Sequence, residues 1–387
     1  MNVLENTLDV IRKNTANIHV ENIRNVLIIY EEKTFYIGDT CILFDNLRYV
    51  RTFFHKAKVE LNFLNKKNMR YYHALLANNP NFDSIRDDDW ADIDFSKYDL
   101  LICVTYKEQA LLEFLHDTYQ DLLTKDQFRL AICSFSEGIL VPLKNITYVF
   151  PEYQPLRDYT LASSATTPCE LYLTTEENEW ANTWLASQGV GEEDDLYIMF
   201  DSASERHKLL DIRVYFDLLG WLLEQPNVKV LIFDEKDIGK SAFYLEWLGE
   251  EKMNNIIISK KLGFREDLTL IGSKYTKVVL GPCTGLMHCA SSIFNNLLIN
   301  GLAIDNIPLL VTYTGQYIGE NNNINVWWGN APLVNCLLLK EIDQRKQIVL
   351  LRDLTAEERN VKDSLPCSEY TFEMLVDFLS ARLPVSL

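Results

Sequence analysis

Three short stretches of this chain combine residue types that handle anions or protons. The first, Gly281-Pro282-Cys283-Thr284-Gly285-Leu286-Met287-His288-Cys289-Ala290, follows the apolar segment 277–280 and leads into the small-residue run 289–294. A strand that ends in Gly, Thr and Gly and enters a helix presents backbone N–H groups and a hydroxyl at the positive end of the helix dipole, which suits a phosphate or diphosphate. Such a turn also serves tight packing, and the residues alone leave both readings open. The second stretch, Asp201-Ser202-Ala203-Ser204-Glu205-Arg206-His207-Lys208, follows the apolar run 196–200. Its small hydroxyls could meet phosphate oxygens and Lys208 could supply the compensating charge; a solvated charged loop is the alternative. The third, Ile37-Gly38-Asp39-Thr40, sets a carboxylate at a helix start, either as a cap or as a general base.

Side chains this far apart need strands that end side by side. Apolar runs at 25–30, 59–64, 100–105 and 130–134, separated by helical stretches, predict a parallel sheet covered on both faces. The acidic segment 86–90 reads as a solvated turn. Residues 150–170 lapse into Pro, Ser and Thr and predict an interdomain linker. Beyond them, a helix over 175–187 opens on the capping box Thr174-x-x-Glu177. Strands are expected at 196–200, 229–233, 255–258, 277–280 and 308–312, with helices at 212–224, 241–248, 266–273 and 284–294. The expected architecture is α/β, with two doubly wound Rossmann-like parallel-sheet domains at 1–160 and 170–365 facing a cleft. A closing helix within 366–387 is expected to pack back on the N-terminal domain.

Composition narrows the classes. The chain has 387 residues, 48% hydrophobic and 24% charged, with a net charge of −18. No basic footprint for a nucleic acid is visible, so any phosphate-binding patch must be local. No apolar run approaches the roughly 18 residues of a membrane span, and the first residues show no signal-peptide core. The expected location is cytoplasmic, with peripheral contact at the inner face of the membrane left open. The eight cysteines are scattered without a CxxC pair, which argues against zinc and a disulfide framework and for buried thiols. There is no GxGxxG fingerprint or Walker loop.

Taken together, the three stretches resemble glycosyltransferase family nine, the heptosyltransferase-type enzymes of the GT-B fold. Gly38-Asp39 is similar to the family's "LGD" segment. Ala203, Ser204 and Lys208 match "GAS-x-x-x-K-x-W", with Leu210 in place of Trp. Thr284, Gly285, Leu286, His288 and Ala290 match "DTGLxHLAAAL", and 79–83 resembles the "NPxVDEV" turn. The resemblance implies an inverting transfer from a nucleotide-diphosphate sugar to a hydroxyl of a glycan or glycolipid, with Asp39 as the base and no metal required. It implies that Ser204 and Lys208, joined by Thr284 and Gly285, hold the diphosphate. His288 would lie nearby, Phe264 would pack on the nucleobase, and Glu235 or Asp237 would reach the ribose. Two departures stand out: the family's Asp is Cys283 here, and 30–36 is acidic where Arg and Ser are usual. They open a second reading, a GT-B protein that binds a nucleotide or partner without transfer. A GT-B nucleotide-sugar epimerase is a third, for which the needed carboxylates are not evident. Trp327-Trp328-Gly329 could stack on a sugar, but packing of a loop on the C-terminal domain is the expectation.

Overall fold

The structure, a computed structural model, describes residues 3–32, 34–135, 148–316, 328 and 330–383. Trp327, Gly329 and the Asn-rich segment 321–323 lie outside the described residues. The chain divides into two compact units, Met1–His73 with Asn79–Thr167, and Ala74–Asn78 with Pro168–Leu387.

In chain order, unit 1 is formed by α1 (Val3–Ala16), β1 (Asn25–Tyr30), α2 (Ile37–Phe53), β2 (Lys58–Phe63), the start of α3 (Met69–Leu76), β3 (Ser84–Arg86), β4 (Leu100–Val104), α4 (Glu108–Thr118), α5 (Gln120–Thr124), β5 (Ala131–Ser134) and α6 (Gln154–Ser164). Its sheet runs β3-β2-β1-β4-β5 and every pair is parallel. The continuous burial of β1, β2 and β4 explains why their sequences are apolar throughout instead of alternating. Two elements depart from expectation. Helix α1 is an amphipathic helix whose Thr7, Leu8, Ile11 and Thr15 are buried at helical spacing. The stretch expected to be a linker is largely α6, anchored by buried Leu156 and Thr160, and the boundary between units falls at Thr167/Pro168. Arg86, expected in a solvated turn, ends β3 opposite Asn62.

Unit 2 continues with α7 (Thr175–Ser187), β6 (Asp195–Met199), α8 (Ile212–Leu223), β7 (Val228–Asp234), α9 (Lys240–Met253), β8 (Ile256–Lys260), α10 (Phe264–Ile271), β9 (Thr276–Pro282), α11 (Gly285–Ile299), β10 (Leu309–Thr314), β11 (Val334–Ile342), β12 (Arg345–Leu350) and α12 (Phe372–Ser380). The predicted capping box at α7 forms in full, with Thr174 and Glu177 satisfying each other's backbone N–H. The sheet order is β12-β11-β10-β9-β6-β7-β8, parallel except for the β11–β12 hairpin, which the sequence reading did not include. That hairpin turns on Asp343 and Gln344, both at positive φ. The closing helix α12 lies in unit 2, packed on α8 and β12.

In both sheets the order reverses once, between β1 and β4 in unit 1 and between β6 and β9 in unit 2. At such a switch point the connections leave in opposite directions and open a crevice at the strand ends, where ligands of open α/β sheets bind. In unit 2 the two strands close tightly below that crevice. A Cβ on Gly281 would sit 2.7 Å from the Cβ of Phe200. The obstructing atom is fixed to the backbone, so it cannot swing aside. Gly281→Ala is therefore expected to cost about 1–3 kcal/mol through overpacking, read as a lowered thermal midpoint; an unchanged midpoint would show that the two strands can part freely.

Candidate functional site

The loop that leaves β6 carries Asp201 to Lys208, and its root is held by a buried polar network. Lys240 at the start of α9 pairs with Asp201 at 2.6 Å, with both side chains mostly buried. Tyr244 donates to the other Asp201 oxygen at 2.9 Å and lies 2.7 Å from the Tyr215 hydroxyl. Further along, Lys208 donates to the Ser204 hydroxyl at 3.2 Å. The predicted diphosphate pair is thus assembled on one loop, with Ser204 exposed and Lys208 half-buried.

Across the switch point, Thr284 is the N-cap of α11, yet its side chain makes no capping bond. Its hydroxyl is buried without a hydrogen-bond partner, an arrangement that normally costs about 1–3 kcal/mol. The N–H groups of Met287 and His288 turn back to the Thr284 carbonyl. Those of Gly285 and Leu286 stand at the first two helical positions, outside the intrahelical ladder. His288 is buried, and its ring stacks on Trp328 with centroids 3.9 Å apart and planes 10° from parallel. Burial, helped by the nearby charge of Lys208, pushes its imidazole down to about 3, so it is neutral across the physiological range. The Trp328 indole N–H points at the Cys283 thiol sulfur, 3.2 Å away. Trp328 therefore packs on the very turn that carries Thr284.

The residues expected around a nucleoside are placed unevenly. Phe264 opens α10 and is 7% exposed. Asp237 stands at positive φ and pairs with Lys261 at 3.0 Å, so its carboxylate is already engaged. Glu235 is half-buried and close enough to raise the pKa of Asp267. Asp267 is a residue the motif reading missed. It is 3% exposed and accepts a 2.6 Å hydrogen bond from Ser259. Burial pushes its carboxyl up to about 7, with the Ser259 bond opposing and the charges of Glu235 and Glu266 adding. The signal available in the sequence was an acid in the first turn of a short helix directly after a strand.

In unit 1, Asp39 lies in the first turn of α2, half-buried, where the helix dipole favours a carboxylate. The acidic pair before it is not solvated. Glu31 is buried and takes Lys107 at 2.7 Å and the Thr105 hydroxyl at 3.3 Å, both from the connection that follows β4. Glu32 is buried and accepts from Tyr30 and Tyr72, each at 2.6 Å, and from Thr40 at 3.2 Å. Burial raises the Glu32 pKa, the three hydroxyls oppose that, and the neighbouring charge of Asp39 adds to it. Among the described residues no cluster of three or more His, Cys, Asp or Glu is disposed to hold a metal.

No family model and no curated protein matches this chain. Solved structures do. The chain is similar to ADP-heptose lipopolysaccharide heptosyltransferase II of E. coli, at 13% identity over 92% of this chain and 98% of that one, with a TM-score of 0.57. It is also similar to a family 9 glycosyl transferase from Veillonella parvula DSM 2008, at 12% identity over 79% and 83% of the two chains, with a TM-score of 0.51. The fold is that of the GT-B glycosyltransferases.

The raised pKa of Asp267 sets a pH dependence. The folded carboxyl keeps its proton to about pH 7, whereas the unfolded one loses it near 3.8, so stability falls as pH rises between those values. Asp267→Asn keeps an acceptor for Ser259 and removes the ionisation. Its stability relative to wild type is expected to improve by about 2 kcal/mol between pH 5 and pH 8. Denaturant titrations of both proteins at the two pH values check this, and a gap independent of pH would refute it.

Proposed function

We propose that this protein is a glycosyltransferase that moves a sugar from a nucleotide-diphosphate donor to a hydroxyl of a glycan or glycolipid, with inversion at the anomeric carbon. The observation that carries the reading is the pairing at one switch point of Lys208–Ser204 with a partnerless buried Thr284 hydroxyl and the N-terminus of α11. A diphosphate would satisfy all three at once: the ammonium by charge, the hydroxyl by a hydrogen bond, and the Gly285 backbone through the helix dipole. Phe264 and Glu235 would serve the nucleoside. Asp237, tied to Lys261, would have to exchange that partner for a ribose. His288, neutral and stacked beneath Trp328, would shape the turn beside the diphosphate. Asp39 would accept the proton of the attacking hydroxyl as its oxygen bonds to the anomeric carbon and the bond to the diphosphate breaks. Lys208 and the α11 dipole would stabilise the departing charge, so the reaction needs no metal. We place the activity in the cytoplasm, at the inner face of the membrane when the acceptor is a glycolipid. The name of the E. coli protein makes an ADP-linked sugar the first donor to test.

Two measurements bear on this. One of ADP, GDP, UDP or CDP, at about a hundred times its dissociation constant, should add roughly 2.7 kcal/mol of stability in a thermal-shift assay, and Lys208→Ala should abolish the shift. Silence toward every nucleotide would overturn the donor site. Asp39→Asn should keep the nucleotide shift while transfer, followed by release of the nucleoside diphosphate, falls by about a hundredfold or more; unimpaired transfer would remove Asp39 from its role. A second reading, nucleotide binding without transfer, draws on Cys283, whose thiol holds Trp328 where the family carries a carboxylate. It is the one favoured if the wild type binds a nucleotide sugar but transfers to none of a broad set of acceptors.

A further inference from the structure

The approach to α2 is acidic, Glu31-Glu32, where the resembled family usually carries Arg and Ser. Glu31 is committed to Lys107 at 2.7 Å. Glu32 is enclosed by hydroxyls: it is 7% exposed and accepts from Tyr30 and Tyr72 at 2.6 Å and from Thr40 at 3.2 Å. The rings that supply two of these hydroxyls are locked in place. Tyr72 stacks on Phe63 with centroids 4.4 Å apart and planes 13° from parallel, and Tyr30 stands edge-on to both. Thr40 follows Asp39 in the first turn of α2, and its N–H donates to the Tyr36 carbonyl at 2.9 Å. The bond from Thr40 to Glu32 therefore ties the turn that carries Asp39 to the segment leaving β1. Two influences meet on Asp39. The helix N-terminus stabilises its carboxylate and so weakens it as a base. Glu32 acts the other way: the charge of Asp39 disfavours ionisation of Glu32, and the influence of Glu32 on Asp39 is mutual.

We propose that Glu32 is a positioning residue for Asp39: it tethers the first turn of α2 through Thr40 and sets a fixed negative charge beside the Asp39 carboxylate, which makes that carboxylate a stronger base. Its part in transfer rests on the reading of Asp39 as the base; the pairing of the two carboxylates does not. The charged and titratable groups around Glu32 are Tyr30 on β1, Asp39 on α2, Tyr72 on α3, and the Glu31–Lys107 pair. Both tyrosines stay neutral, because burial pushes their hydroxyls up. Glu31 and Lys107 carry opposite charges in contact and largely cancel at a distance. Glu32 is thus the member of the cage that acts on Asp39 by charge. Lys33, next to it in the chain, lies outside the described residues, and its charge is separated from that of Glu32 by substitution.

The test is a pH titration of the Asp39 carboxyl carbon by NMR, in the full chain labelled at aspartate, with the Asp39 signal assigned by its loss in Asp39→Asn. Glu32→Gln keeps the shape of the side chain and removes its charge. It is expected to move the Asp39 midpoint to lower pH by roughly half a pH unit or more, and by the same amount when Lys33→Gln is present in both proteins. Tyr72→Phe, which loses one hydroxyl of the cage and keeps the charge, should leave the midpoint near its wild-type value. In a transfer assay, Glu32→Gln should carry the acid limb of kcat/KM to lower pH together with the midpoint, and lower the plateau because the base is weaker. An Asp39 midpoint unmoved by Glu32→Gln, a shift that vanishes in the Lys33→Gln background, or an equal shift in Tyr72→Phe would each overturn the inference, whatever the transfer assay shows. Transfer that persists in Asp39→Asn, or is absent from the wild type, would instead overturn the reading of Asp39 as the base, while the NMR titration still decides the pairing.

Discussion

The chemistry-bearing end of unit 2 depends on how closely β6 and β9 approach. These two strands flank the point where the sheet order reverses, and the absence of a side chain at Gly281 lets the backbone of β9 lie against Phe200. With that contact in place, the loop bearing Ser204 and Lys208 and the helix opening at Gly285 emerge from adjacent strands. The Asp201–Lys240–Tyr244 network then fixes the root of the first loop, and the Cys283–Trp328–His288 packing fixes the second. A polar network of this kind is costly to leave half-satisfied and rigid once complete. At the turn it leaves the Thr284 hydroxyl buried without a hydrogen-bond partner.

The two units treat their switch points in opposite ways. In unit 1 the ends of β1 and β4 are joined by the protein's own ion pair, Glu31 with Lys107, and a second carboxylate, Glu32, is enclosed by three hydroxyls. Glu31 is buried whereas Lys107 is 44% exposed, so it is loss of the lysine that would leave a buried carboxylate without its cation. In unit 2 the corresponding crevice carries half-buried Lys208, which donates to the Ser204 hydroxyl. The same topology thus yields a crevice filled from within in one unit and a cationic, hydroxyl-lined one in the other.

Most of this architecture could be read from the amino-acid sequence because strands covered on both faces are apolar without interruption, as in Asn25–Tyr30 and Leu100–Val104. The motif stretches were placed on the right elements for the same reason: each follows such a strand. What escaped the reading has identifiable causes. Helix α1 carries two of its buried positions as threonine, which blurs its apolar stripe. Strand β12 opens on the polar, exposed run Arg345-Lys346-Gln347, which hides its apolar second half, Ile348–Leu350. Glu31 and Glu32 look like surface acids until the connection after β4 supplies Lys107 and α3 supplies Tyr72, 76 and 40 residues away. The stack of His288 on Trp328 likewise joins residues that no local period connects. Tertiary pairing of polar groups, rather than secondary structure, is where a single sequence says least.

The setting of Lys208 in an acidic chain has a kinetic side. Lys208 sits on a molecule of net charge −18, so an approaching anion is repelled at long range and attracted only over the last few ångströms. The repulsion acts across distances beyond the Debye length of about 8–10 Å and is screened by salt, whereas the contact with Lys208 is screened much less. Encounter with an anionic ligand is therefore faster at higher ionic strength while the bound lifetime changes little, the reverse of the behaviour of a basic cleft that steers its ligand in from afar.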